Sequence, residues 1–123
     1  MDPKTYVKIV NRKTGQVLIN SARWCESRIC RLIGLQFHRS LKPGEALILV
    51  MPKESISYTS IHMFFVFFSI AAIWVNERGE VTSTQLAKPW HPFYASTMPA
   101  RYVIETTPDL LNQISEGDEV DFV

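Results

Sequence analysis

The sequence is poor in the residue patterns that announce chemistry. Its five glycines are isolated from one another. A phosphate-cradling loop needs clustered glycines so that backbone N–H groups converge on an anion, so that class of site is excluded. The only two cysteines, Cys25 and Cys30, lack a second Cys or His pair at zinc-finger distance. Five residues apart, they would fall on different faces of a helix. They therefore read as reduced, small apolar residues, and the chain as intracellular and cytoplasmic. His38, His62 and His91 are the only three histidines and show no paired spacing, a poor set for a metal. No metal and no cofactor is expected. MDPKTYVKIV at the N-terminus holds no apolar run followed by a small-residue cleavage site, so it does not read as a secretory signal.

Charge of one sign is scarce in each part of the chain. The net charge is only +1, which gives no strong overall attraction to nucleic acid or membrane. Residues 1–44 nevertheless hold nine Lys/Arg against two acidic residues, a local +7, whereas residues 45–123 hold four against ten, a local −6. The plain reading is two solvated or mutually facing halves. The sharper reading is nucleic-acid binding through the basic N-terminal third, which the lack of basic runs interleaved with aromatics disfavours. Hydrophobic residues make up 46% and charged residues 20%, so the chain is not disordered. With 123 residues, it reads as a single domain, 1–123, large enough to bury a core.

Short β-rich segments separated by turn residues run along the chain. Tyr6–Val10 and Gln16–Ile19 flank Asn11–Gly15 and predict a hairpin. Residues 21–33 carry apolar positions at helical spacing (Trp24 or Cys25, Ile29, Leu32, Ile33), with Asn20 or Ser21 to start a helix and Gly34 to end it. Glu45–Met51, between Pro43 and Pro52, predicts a buried strand. Asn76–Gly79 is a turn before the Val/Thr alternation of Glu80–Leu86, and Lys88–Pro99, with three prolines, is a loop. Arg101–Thr106 reads as a strand. Thr107-Pro108-Asp109 opens a second short helix over 108–114, and Val120–Val123 supplies a last strand. The expectation is a mainly β fold: a compact antiparallel β-barrel or sandwich with two short α-helices, about 21–33 and 108–114.

The greasiest stretch, SIHMFFVFFSIAAIWV from Ser60 to Val75, has no Asp, Glu, Lys or Arg. A membrane helix needs about 20 apolar residues. This stretch is shorter, is interrupted by His62 and Ser69, and is rich in β-formers. It predicts a strand pair bent near Phe68-Ser69 and covered on both faces.

With Gly34-Leu35, Pro43–Leu47, Ser60–Phe65, Ile70–Val75, Gly79–Val81, Lys88–Trp90, Ala100–Glu105 and Gly117–Val120 in this order, the chain resembles the domain-of-unknown-function 192 family over about residues 15–122. The resemblance implies a small mainly β domain found in bacteria and archaea, some members with export signals. It implies no established activity, cofactor or catalytic residue. Where the family commonly has Arg and Asp, this chain has Phe67 and Ala71. If those two charges pair in relatives, losing both leaves no orphan; if they form a reactive site, it is lost here.

His62, in the greasiest segment, is expected as a neutral core imidazole bonded to a backbone group, with ligand or acid–base duty as the alternative. Trp90, His91, Phe93 and Tyr94 on the proline-rich loop form the best binding candidate, since loop aromatics suit stacking on a ligand. Folding back to cap a barrel end is the plainer role, and Arg101 could stand beside them. The leading reading is a non-catalytic binding or accessory module, with a site between His62 and the Trp90–Tyr94 loop. Its partner is a small ligand or a protein, with no membrane span. The rival is a hydrolase-like enzyme using His62 with a carboxylate such as Glu105.

Overall fold

The Asn11–Gly15 cluster folds the chain back on itself. In the computed structural model, which describes residues 5–123, Asn11 Oδ1 accepts from the backbone N–H of Lys13 and Thr14, and Gly15 takes φ +76°. The hairpin joins β1 (Thr5–Asn11) to β2 (Val17–Cys25). The predicted helix over 21–33 is corrected here. Residues 21–25 continue β2, pairing with β1 on one side and, in parallel, with β3 (Glu45–Ser55) on the other. Backbone pairing on both sides outweighs a spacing that fits helix and strand alike. Only Arg28–Ile33 is helical (α1), capped by Ser27, whose hydroxyl accepts from the Cys30 N–H, and closed by Gly34 at φ +52°. A helix of six residues buries one side chain, Cys30. Ile29, Leu32 and Ile33, the apolar positions of the predicted helix, are exposed.

The cysteines are also corrected. Cys25 at the end of β2 and Cys30 in α1 form a disulfide, with their Cα atoms 5.6 Å apart. The short turn between strand and helix brings them within bonding reach, which helical spacing would not. The argument for an intracellular setting from reduced thiols lapses with it.

The remaining strands are β4 (Ile70–Val75), β5 (Val81–Ala87), β6 (Ala100–Thr106) and β7 (Val120–Phe122). They complete a seven-stranded sheet in the order β5-β4-β6-β3-β2-β1-β7, antiparallel except for β2–β3. The parallel pair is possible because residues 26–44, including α1, make the crossover. Pro52 sits inside β3, where the ladder to β6 is irregular and needs no N–H donor. The second predicted helix is a 3₁₀ turn over Pro108–Asn112, and the Thr107 hydroxyl donates to the Asp109 carboxylate rather than capping a backbone N–H.

The sheet is strongly curled. Tyr102 of β6 and Phe122 of β7, four strands apart in the order, bring their rings to 5.0 Å, and Trp24 joins them at 5.8 and 5.6 Å. These rings pack on a concave core of Ile9, Ile48, Ile73, Ile104, Leu110 and Val120. The convex face carries a second core, including Leu49, Met63, Ile70, Trp74 and Val103. β4 lies between the two: Ala71, Ile73 and Val75 enter one, and Ile70, Ala72 and Trp74 the other. That is why Ile70–Val75 is uniformly apolar and buried. The Trp74 indole donates to the Thr59 carbonyl at 2.7 Å. Each fully buried large side chain of this kind stabilises the fold by roughly 1.5–3 kcal/mol.

The first half of the greasy stretch corrects the expected strand pair. Ile61–Phe68 is irregular and packs on the convex face, and its one isolated bridge runs from Ile61 to Tyr94 of the proline-rich loop. Ile61, Met63 and Val66 point inward, while Phe64, Phe65 and Phe67 are exposed. β4 instead makes its hairpin with β5 through Asn76–Gly79. There the Asn76 side-chain oxygen accepts from the N–H groups of Arg78 and Glu80, and Gly79 takes φ +86°.

Candidate functional site

Between α1, the far half of β3 and the Ser60–Val66 segment the convex face holds a cavity of about 630 Å³. Pockets of this size accept a small organic molecule. Its walls are mainly apolar: Leu32, Leu35, Leu49, Met51, Ile61 and Ile70 contribute. Arg28, Arg31, Tyr58 and His62 add polar groups. The disulfide fixes α1, and so one wall, to the end of β2.

Glu105 also lines the cavity and is the one carboxylate among its lining residues. The alternation of β6 turns it to the convex face, in register with Leu47 on one side and Ala72 on the other. It is 5% exposed. A methyl group built on Gly34 would lie 3.8 Å from Glu105 Oε1, so the carboxyl end sits beside the close of α1. Among the described residues it forms no side-chain hydrogen bond or ion pair, and burial alone pushes its carboxyl up to about 7. Among the described residues no sealed side-chain oxygen lacks a hydrogen-bond partner, so the Glu105 carboxyl keeps access to the cavity it lines while its ionised form is disfavoured by burial.

His62 lines the same cavity. It is exposed rather than enclosed in a core, and its Nδ1 accepts from the Phe64 backbone N–H at 3.2 Å. A neutral ring accepting at Nδ1 carries its proton on Nε2, leaving that N–H available as a donor. The Arg31 side chain donates to the Val50 carbonyl at 2.9 Å, and Arg28 is exposed at the rim.

The other sequence-derived candidates do not line this cavity. The proline-rich loop does pair with the His62 segment: Ile61 and Tyr94 exchange backbone hydrogen bonds at 2.8 and 2.9 Å, and Met63 N–H donates to the His91 carbonyl at 2.8 Å. Trp90, His91 and Tyr94 are nevertheless absent from the cavity wall. His91 and Tyr94, with rings 4.5 Å apart, border a separate open depression beside Lys88 and Phe93. Trp90 is exposed and leans on Phe65 and Phe67. Arg101 donates to the Met51 carbonyl at 2.9 Å. Of the two substituted family positions, Phe67 meets Trp90 at 5.8 Å on the surface and Ala71 is buried in the concave core. Sequence spacing gave no hint of Arg28, Arg31 and Tyr58, because separate segments supply them and only the fold brings them together.

Two features of the basic N-terminal third are engaged within the fold. Arg12 pairs with Glu119 at 3.1 Å and Asp121 at 3.0 Å, and Arg31 is held by Val50. Among the described residues no group of three or more His, Cys, Asp or Glu is placed to hold a metal, and no helix is long and apolar enough to cross a membrane.

A strongly curled, mainly β sheet defines the class. Two solved structures share the fold. A Sinorhizobium meliloti protein solved as a candidate transcription regulator superposes with a TM-score of 0.83 at 16% identity, over 97% of this chain and 93% of that one. A Novosphingobium aromaticivorans protein of unknown function gives 0.81 at 18% identity, over 96% and 84%. The chain belongs to the DUF192 family, described as "Uncharacterized ACR", whose model matches residues 9–122. UPF0127 proteins of Thermococcus sibiricus and Pyrococcus furiosus are each 30% identical over 93% of this chain, covering 73% and 97% of their own lengths.

Proposed function

We propose that this chain is a non-catalytic binding module whose ligand occupies the cavity under α1. The ligand is a small, mostly apolar molecule carrying an amine or another hydrogen-bond donor. The observation that supports this reading is Glu105: a buried carboxyl, without a protein partner, lining an apolar cavity of about 630 Å³. An ionised carboxylate only accepts hydrogen bonds, so a donor is the group that complements it. The experiment is a thermal-shift screen of small aliphatic and aromatic amines and alcohols on the parent and on Glu105→Gln. A specific binder raises the apparent stability by mass action. An amine is expected to bind more tightly as pH rises through 7, because the carboxyl ionises, and to lose roughly tenfold or more in affinity in Glu105→Gln, the scale of one charge-assisted hydrogen bond. Shifts of equal size in parent and variant, or none across the screen, would refute the reading.

One observation favours a second reading, an acid–base enzyme. His62 and Glu105 line the same cavity, and a carboxyl titrating near 7 suits proton transfer at neutral pH. A panel of chromogenic esters tests it: turnover by the parent, abolished in both Glu105→Gln and His62→Gln, supports it, and no turnover removes it.

A further inference from the structure

Three aromatic residues share an unusual backbone. Phe37 (φ +65°), Phe65 (φ +60°) and Trp90 (φ +63°) are the non-glycine residues with positive φ among those described. Bulky side chains rarely adopt this conformation, and such positions persist where surrounding contacts hold them. All three are exposed, and they touch: Phe37 stacks on Phe65 at 4.9 Å, and Phe65 meets Trp90 at 5.0 Å. Backbone hydrogen bonds lock the group, from Phe37 N–H to the Phe65 carbonyl at 2.9 Å and from Trp90 N–H to the Met63 carbonyl at 2.8 Å. The strain therefore turns rings outward instead of burying them. α1, which ends four residues before Phe37, adds further exposed apolar side chains, with Leu32 74% exposed and Ile33 also open.

Cations predominate on the segments that build this surface, with the exposed Glu26 and Glu45 just outside the two ends of one of them and the Glu45 carboxylate accepting from the Lys42 N–H at 3.0 Å. The segments that build it, residues 27–44, 60–70 and 88–95, contain Arg28, Arg31, Arg39, Lys42 and Lys88 and no Asp or Glu. Arg28, Arg39, Lys42 and Lys88 are exposed. Contiguous exposed apolar surface marks an interaction site. Aliphatic and aromatic side chains interleaved with cations match the boundary of an anionic bilayer, where rings and short aliphatics enter the headgroup layer and cations meet phosphates. Stacking on nucleic-acid bases is the poorer match. The rings are already in contact with one another, and the exposed Leu32 and Ile33 offer bases nothing to stack on.

We infer that the Phe37–Phe65–Trp90 face, with α1, docks on an anionic lipid surface without inserting a span. This goes beyond the cavity reading and does not depend on the cavity being filled. The test is co-sedimentation of the purified chain with vesicles of phosphatidylcholine alone or mixed with phosphatidylglycerol. Binding to the anionic vesicles is expected to exceed binding to the neutral ones by roughly tenfold or more, falling with added salt. Phe37→Asn, Phe65→Asn and Trp90→Asn keep residues that tolerate the left-handed backbone, so the fold is retained while the rings are lost. The triple variant, and separately Arg28→Gln with Arg39→Gln and Lys42→Gln, should each lose most of that binding. Brominated lipid should quench Trp90 fluorescence, a signal that Trp90→Asn removes. Equal binding of parent and ring variants overturns the inference. So does binding of single-stranded oligonucleotides in place of vesicles, or a dimer that the ring variants dissociate while vesicle binding is absent.

Discussion

Glu105→Gln should make the protein more stable, and by an amount set by pH. Burial raises the folded-state value from 4.5 to about 7, so the folded chain prefers the neutral acid. The sign follows from linkage. Below about pH 4.5 the group is protonated in both folded and unfolded chains and costs nothing. As pH rises toward 7 the unfolded chain ionises while the folded chain resists, and stability falls; above about 7 to 8 both are ionised and the loss is complete. At about 1.4 kcal/mol per pH unit, the full loss is on the order of 3 kcal/mol. Glutamine keeps the shape and drops the ionisation. Urea unfolding followed by tryptophan fluorescence, on parent and variant side by side, should therefore show nearly equal stability at pH 4.5. At pH 8 the variant should lead by about 3 kcal/mol, or a melting temperature about 10 °C higher. The difference between the two proteins cancels every other titrating group. A variant advantage that does not grow between pH 4.5 and 8 would refute the claim that Glu105 is buried without a compensating partner.

Three further outcomes test the fold. The unreduced, denatured chain should show no free thiol, and dithiothreitol should lower its stability by about 2 kcal/mol, as closing so short a loop implies; two titratable thiols before reduction would contradict the Cys25–Cys30 bond. Gly79→Ala should cost at least about 2 kcal/mol in urea unfolding, from the left-handed backbone and from a Cβ that would collide with Arg12 Nη2 and lie 2.6 Å from the Val120 oxygen; an unchanged midpoint would contradict this close approach. Trp74→Phe should lose roughly 1–3 kcal/mol, combining a smaller ring with an unsatisfied Thr59 carbonyl, and a neutral effect would argue against that buried bond.

Local signals carried the turns and most strands. Asn11–Gly15, Asn76–Gly79 and the apolar run at Glu45 lie where backbone chemistry is decided by neighbours in sequence. Residues 21–25 failed because their fate is set by Thr5–Val7 and Glu45–Leu49 on either side, and one short segment cannot display that pairing. The disulfide was missed for the same reason: an assumed helix separated two cysteines that a strand end and a turn bring together. Ile61–Phe68 has strand composition but not strand shape, since its outward rings sit on the surface and its backbone turns left-handed at Phe65. The site was legible in pieces. His62 and Glu105 stood out as candidates, and the loop of Trp90, His91 and Tyr94 does pair with the backbone beside His62, yet of these side chains His62 and Glu105 line the cavity, with residues from α1 and β3 that only the fold brings there.

The curl of the sheet also bears on self-association. Every open sheet ends in two rows of unpaired N–H and C=O groups, a template for strands of other copies. Here the two ends meet. Glu80 bridges Glu119, Val81 N–H donates to the Asp118 carbonyl at 2.8 Å, and Val120 N–H donates to the Gly79 carbonyl at 2.8 Å. Arg12 binds the Arg78 and Val120 carbonyls beside this seam. Along that length the outer strands satisfy each other, so fibre-like growth by edge pairing is blocked there by the sheet's own edges.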